Sequence, residues 1–185
     1  GLGDVYKRQD SLTPIHSSQP IDEVWHLAAN SDISAGVSDS SIDLKNTFLT
    51  THSLLSIMKE LGLKRLAFSS TSAIYGVHGG AMSEDIGPLF PISNYGAMKL
   101  ASEAAISAAL EACLDRVWIF RFPNVVGPRA THGAIFDFIG RLQQNPDELV
   151  VLGDGTQQKP YLHVSELIEA MLFITAEATE KLNYY

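Results

Sequence analysis

The sequence predicts an α/β fold with a parallel β-sheet, and two observations carry that reading. Three short apolar runs of strand length, at 23–29, 64–70 and 116–122, alternate with two long helical stretches, at about 42–61 and 95–112. A strand–helix–strand–helix–strand rhythm builds βαβ units, whose crossovers make the strands parallel. The first two runs also end in small or hydroxyl-bearing residues, Ala28-Ala29 and Ser69-Ser70-Thr71-Ser72. Small side chains at the C-terminal end of a parallel strand let a ligand approach the backbone, and open α/β sheets take ligands at that end.

Composition narrows the partners. The 185 residues suffice for a domain with a sizeable core, and 45% hydrophobic with 18% charged residues is an ordinary soluble balance. Thirteen Lys+Arg against 21 Asp+Glu leave a net charge of -8 with no basic stripe, so nucleic acid is not an expected partner. The single cysteine, Cys113, excludes an internal disulfide and fits a reducing compartment; among Ala and Leu late in a helix it reads as core filler. No apolar run reaches the ~18 residues needed to cross a bilayer, and no signal peptide is visible, so no membrane partner is expected and the cytoplasm is the expected location.

In chain order, Gly1 to Gln9 has no period. Gly1 and Gly3 do not make a nucleotide loop, because no strand precedes them and no third glycine follows at the needed spacing. These nine residues read as non-native. Residues 11–20 read as a loop or frayed helix, broken by Pro14 and Pro20. His26, inside the first strand, reads as a packed, hydrogen-bonded histidine rather than a catalytic one. Residues 30–40 read as a polar loop over the end of the sheet. The helix from Ile42 carries Phe48, Leu49, Leu54, Leu55, Ile57, Met58 and Leu61 and is stopped by Gly62, with Asn46 and Thr47 near its start.

The hydroxyls of 69–72 read equally well as turn formers or as ligand donors. Residues 78–91 form a Gly- and Pro-marked loop whose Glu84-Asp85 pair reads as solvated. The next helix is small on nearly every side, with Ala97, Ala101, Ala104, Ala105, Ala108 and Ala109, the pattern of a helix covered by the sheet and by a second subunit. After the third strand and Pro123–Arg129, a helix is expected at 134–144, then the apolar 148–152, a turn at 153–156 and a strand-like 160–164. A last helix opens with Ser165 as N-cap and Glu166 in its first turn.

Tyr95 and Lys99 stand four residues apart, which puts their Cβ atoms about 5–6 Å apart on one helix face. An ammonium that close favours the ionised phenol, so Tyr95 is expected to titrate below its usual ~10 and to serve as a general base for a substrate hydroxyl. The pair alone is common on solvated helix faces, and its neighbours decide its meaning.

Those neighbours are His26-Leu27-Ala28-Ala29, Asn46, Phe68-Ser69-Ser70-Thr71-Ser72-Ala73-Ile74-Tyr75-Gly76, Tyr95-Gly96-Ala97-Met98-Lys99, Arg121-Phe122-Pro123-Asn124-Val125-Val126-Gly127-Pro128-Arg129, and Gly153-Asp154-Gly155-Thr156-Gln157 through Tyr161-Leu162-His163-Val164. Six blocks in this order make the chain similar to the extended short-chain dehydrogenases/reductases, specifically the NAD-dependent epimerase/dehydratase family acting on nucleotide sugars. The resemblance covers roughly residues 21–176. It implies a Rossmann-type doubly wound parallel sheet, with N-terminal strands missing, and part of a small C-terminal substrate domain. It implies Tyr95 as base, Lys99 as its tuner and ribose ligand, and Thr71 as the hydroxyl bonding the reacting sugar oxygen. Ala28, Ala29, Asn46 and Ser69 would flank the NAD, and Asn124 would meet the nucleotide sugar. Lys159 would meet the diphosphate, a point charge where the family often has an arginine fork. No metal is expected.

Two departures shape the expectation. The family's first strand with its G-x-x-G-x-x-G turn, and the acid that reads the ribose, are absent, and the chain stops before the rest of the substrate domain. The chain therefore reads as an internal fragment of a ~300-residue enzyme, inactive alone and lacking the pyrophosphate cradle. Residues 1–129 would be a partial NAD-binding domain, and 130–185 a partial substrate region with a segment returning to the core. The second departure is Ser72-Ala73, where sugar 4,6-dehydratases place Asp-Glu after the catalytic threonine, which disfavours dehydration.

The resemblance thus implies an NAD-dependent epimerase of the UDP-glucose 4-epimerase kind, with a tyrosine base, hydride held transiently on NAD, and a 4-keto intermediate. The alternatives are a nucleotide-sugar reductase or decarboxylase, a carbonyl reductase of the same fold, or a non-catalytic NAD-binding protein. A homodimer through the helices starting near Ile42 and Tyr95 is also expected.

Overall fold

The computed structural model describes residues 20–78, 80–151 and 153–185. The expectations for residues 1–9 and 11–19 lie outside the described residues. Two compact units are present: the chain through Arg121 together with Ala178–Tyr185, and Phe122–Glu177.

The first unit is a four-stranded sheet in the order β1-β2-β3-β6, made of β1 (Val24–His26), β2 (Arg65–Thr71), β3 (Arg116–Phe122) and β6 (Leu182–Tyr184). β1 and β2 run parallel with Trp25 opposite Ala67, and β3 and β6 run parallel with Trp118 opposite Asn183. Parallel strands are what the strand–helix rhythm predicts, and the mixed α/β, Rossmann-like arrangement is what the resemblance implies. The short β6 has no rhythm of its own to announce it. Its Asn183 side chain donates to the carbonyls of Val117 (3.1 Å) and Glu180 (2.8 Å), tying it to β3.

Residues expected as a loop after β1 contain a short helix, α1 (Ile33–Ser38). The Asp32 carboxylate caps it by accepting the Ala35 N–H (3.1 Å), a local signal that needs no apolar period. The expected helix at 42–61 is three pieces. It comprises α2 (Ser40–Asp43), a π-helical stretch (Leu44–Phe48) and α3 (Leu49–Leu61). Gly62 ends α3 in the left-handed conformation (φ 69°), and the Leu63 N–H reaches back to the Met58 carbonyl (2.8 Å). A non-glycine residue would be strained there.

β2 leads into a single 3₁₀ turn, Ser72–Tyr75, and α4 spans Asn94–Ala112. The core lies between sheet and helices. Leu66 and Phe68 from β2, Val117 and Ile119 from β3, Met58 from α3 and Ile106 and Leu110 from α4 pack together there, buried. Burying such side chains contributes roughly 1.5–3 kcal/mol each.

The second unit pairs β4 (Asn124–Val126) in parallel with β5 (Tyr161–His163) and carries α5 (Ala134–Gln144) and α6 (Val164–Glu177). Pairing with β5 is what places β4 in this unit, whereas a division after residue 129 leaves it in the first. Residues 148–151 form no strand. Helix α6 opens one residue before the expected cap: Ser165 lies inside its first turn, its N–H on the His163 Nδ1 (3.3 Å).

Candidate active site

The start of α4 is built to lie on the end of β2. The Ser93 hydroxyl caps the helix by accepting the Gly96 N–H (3.1 Å). Gly96 is required by packing: a Cβ there would sit 2.7 Å from the Ala73 carbonyl oxygen. That close approach brings Tyr95 onto Thr71. The Thr71 hydroxyl accepts the Ala73 N–H (3.2 Å) and donates to the Tyr95 phenol. The two groups implied as base and sugar-binding hydroxyl are therefore in direct contact.

Lys99 is 2% exposed. Its Nζ donates to the Ser69 carbonyl (2.5 Å) and lies 4.7 Å from the Phe68 ring centroid, while the Tyr95 ring centroid is 6.0 Å away. Burial pushes the ammonium down to about 8, with the charge of Glu103 opposing the fall. Tyr95 moves the other way. Burial raises its phenol above the usual value, the Thr71 hydrogen bond opposes that rise, and the negative charge of Asp43 adds to it.

The depressed phenol expected from the i,i+4 spacing is thus corrected. Spacing makes Cβ atoms neighbours but does not say where a four-carbon stem ends. Here it ends on the backbone of β2.

The other implied residues divide. Ala28 is exposed and Ala29 half-buried at the end of β1. Asn46, in the π-helical stretch, is exposed, and its neighbour Thr47 turns inward instead, accepting the Asn30 N–H (3.1 Å). Ser69 is buried and its hydroxyl donates to the His26 carbonyl (3.3 Å), while its own carbonyl holds Lys99. Asn124 and Lys159 are exposed in the second unit, the Asn124 amide donating to the Pro160 carbonyl (3.2 Å).

Sequence reasoning missed three buried charges. Asp43 is fully buried, accepts from the Asn30 side chain (2.8 Å), and leaves its Oδ2 without a hydrogen bond. Glu103 and Arg121 form a buried ion pair (2.9 Å). One signal was legible: Glu103 follows Lys99 by another four residues, on the same helix face.

His26 is packed and hydrogen-bonded, 5% exposed. Thr51 donates to the Thr47 carbonyl (3.0 Å), so its oxygen accepts from His26 Nε2 (2.9 Å), which makes Nε2 the protonated nitrogen of the neutral ring. Burial, and secondarily the charge of Lys99, lower His26 from 6.5 to about 4. Between those values the unfolded chain binds a proton that the folded one does not. His26 therefore contributes stability above pH ~6.5, up to about 3 kcal/mol, that is lost as pH falls toward 4. Urea unfolding at pH 7 and pH 4.5 should show this loss in the wild type and a smaller loss in His26→Asn; equal losses would exclude His26 as its source.

Residues 3–184 match the NAD dependent epimerase/dehydratase family. The chain is 27% identical over 158 residues to UDP-glucuronate 4-epimerase of Thermodesulfobacterium geofontis, covering 85% of this chain and 49% of that protein. It is 33% identical over 173 residues to UDP-N-acetyl-alpha-D-glucosaminuronate decarboxylase of Bacillus cytotoxicus, covering 88% of this chain and 51% of that protein. Among solved structures it is similar to MoeE5 in complex with UDP-glucose and NAD, at a TM-score of 0.82 and 27% identity, covering 95% of this chain and 59% of that one. The chain spans about half the length of the curated relatives it matches. No helix among the described residues is long and apolar enough to cross a membrane. From the match over 3–184 and the Thr71–Tyr95–Lys99 constellation, the chain belongs to the NAD-dependent epimerase/dehydratase family.

Proposed function

We propose that the whole protein is an NAD-dependent epimerase acting at C4 of a UDP-sugar. The observation that carries this is the contact between Thr71 and Tyr95 above a buried Lys99. Ser72-Ala73 supports epimerisation over dehydration, since neither residue offers an acid or base for removing water.

The residues present fit a nicotinamide dinucleotide. Small residues at the end of β1 leave its backbone approachable, and the Lys99 ammonium has three donors, one of which goes to Ser69. Lys99, Tyr95 and the ends of β1 and β2 would hold the nicotinamide ribose, with Ala28, Ala29, Asn46 and Ser69 flanking it. When bound, NAD supplies the acceptor and donor of hydride.

The chain's own work is proton chemistry and orientation. Ionised Tyr95 takes the proton of the sugar C4 hydroxyl at its phenolate oxygen and later returns it. Thr71 orients that hydroxyl, and Lys99 offsets the negative charge on the phenol. Asn124 and Lys159 bind the nucleotide and its diphosphate in this proposal, and the helices from Ile42 and Tyr95 pair two subunits.

A decarboxylase is the second reading, favoured by the 33% identity to one. Incubation of the whole protein with UDP-glucose and UDP-glucuronate separates the two. The proposal expects the C4 epimer with neither CO₂ release nor net NADH. Carbon dioxide as the main product would replace it with the decarboxylase reading.

A further inference from the structure

One buried cluster lies outside the proposed chemistry yet joins α4 and β2, the two elements that carry Tyr95, Lys99 and Thr71. Glu103 stands two helical turns after Tyr95 and one after Lys99 on α4, and its residue is 3% exposed. Its carboxylate accepts Arg121 Nε on Oε1 (3.2 Å) and Arg121 Nη2 on Oε2 (2.9 Å), a two-point pair. Oε1 also accepts the Ser70 hydroxyl, and Ser70 is the β2 residue next to Thr71. The remaining arm of Arg121, Nη1, donates to the Tyr75 hydroxyl (3.1 Å) and the Glu84 carbonyl (2.9 Å). The Arg121 guanidinium carbon also lies 4.7 Å from the Tyr184 ring centroid on β6. One ion pair thus joins α4, β2, β3, the turn after Thr71 and the last strand.

A buried pair of this kind is weak evidence for stability, because desolvating both charges offsets much of their attraction. We propose that Glu103 is a positioning residue for the reaction assigned to Tyr95: held by Arg121, it clamps α4 to β2 and supplies the buried Lys99 ammonium with a counter-charge. The inference rests on the proposed function for its kinetic consequence only.

The groups facing Lys99 come from three elements. His26 faces it from β1, the Ser69 carbonyl and Phe68 ring from β2, and Tyr95 and Glu103 from α4 itself. His26 is neutral above pH ~5, since it titrates near 4, and Tyr95 is uncharged until its phenol ionises. Glu103 is the anionic group that acts to hold the proton on Lys99 against burial.

The test is the titration of the Lys99 side chain, followed by ¹³Cε NMR and assigned by loss of the resonance in Lys99→Arg. Glu103→Gln keeps the shape and most hydrogen bonds but removes the charge, and should move the Lys99 midpoint down by about one pH unit. Glu103→Asp keeps the charge and should stay near the wild-type midpoint. In the active protein, Glu103→Gln should lower kcat about tenfold, leave the sugar KM within about twofold, and move the alkaline limb of the pH profile with the NMR midpoint.

Should Glu103→Gln not fold, the double variant Glu103→Gln/Arg121→Met removes both charges together, which buried pairs tolerate better, and should move the Lys99 midpoint in the same downward direction but by less, because the lost Arg121 cation offsets part of the lost anion. An unchanged midpoint in whichever folds, with only the melting temperature lowered, overturns the proposal and leaves Glu103 a structural residue. A product other than the C4 epimer would overturn the proposed function while leaving the Lys99 midpoint as an independent result.

Discussion

If the whole protein is the proposed epimerase, Tyr95→Phe should lower its kcat/KM by about 10³-fold, ~4 kcal/mol of transition-state stabilisation, with KM little changed. The substitution removes one oxygen. In the folded chain that oxygen is bonded to Thr71, so the loss falls on proton transfer rather than on the architecture. Helix α4 keeps its start, because the Ser93 cap and the fit of Gly96 against Ala73 do not involve the phenol. Circular dichroism and melting of the variant should therefore match the wild type closely. Activity within tenfold of wild type, a loss under ~1.4 kcal/mol, would remove Tyr95 from the role of base. Burial and Asp43 both raise this phenol, so the ionised form has to be recovered by positive charge around it. Lys99 is the group on the same helix placed to contribute.

Lys99→Met separates activity from stability. At neutral pH the folded chain holds a charged ammonium that burial has lowered from 10.5 to about 8. At 1.36 kcal/mol per pKa unit, keeping it charged costs about 3 kcal/mol relative to the unfolded chain. Methionine fills similar volume without charge, at the cost of the hydrogen bond to the Ser69 carbonyl, about 1–2 kcal/mol. The variant should be more stable by about 1–2 kcal/mol at pH 7, while turnover falls about 10²-fold or more.

The pH dependence sharpens the expectation. Between about 8 and 10.5 the unfolded chain binds a proton on Lys99 that the folded chain has released, so wild-type stability rises with pH across that window. Lys99→Met should lack this component of the rise. Chemical denaturation at pH 7, 8.5 and 10 measures it, and identical slopes in the two proteins would refute the buried-ammonium account. A lysine kept buried at a net cost near a phenol and a hydroxyl marks a candidate functional site, in line with the proposed function.

The sequence by itself determined the fold class and, through the family resemblance, which residues to look for at the candidate site. Alternating apolar runs and long helices specify βαβ units, because a chain of that rhythm can bury its apolar faces only by crossing over a parallel sheet. The partnership of Tyr95 with Thr71 was legible only through the family resemblance, whereas the Ser93 cap and the close fit of Gly96, which start the helix where β2 ends, came from the structure. A local cap decided α1, which carries no period and went unread, and the π-helical stretch Leu44–Phe48, which has no side-chain cap, went unread with it.

Electrostatics belonged to the tertiary structure. The spacing of Tyr95 and Lys99 suggested a lowered phenol, but burial and Asp43, a residue 52 positions earlier, raise it. Glu103 and Arg121 are ordinary charges in the sequence and a buried two-point pair in the fold. Proton affinity depends on desolvation and on charges brought close from distant parts of the chain, and neither exists until the sheet and its helices have closed around the site.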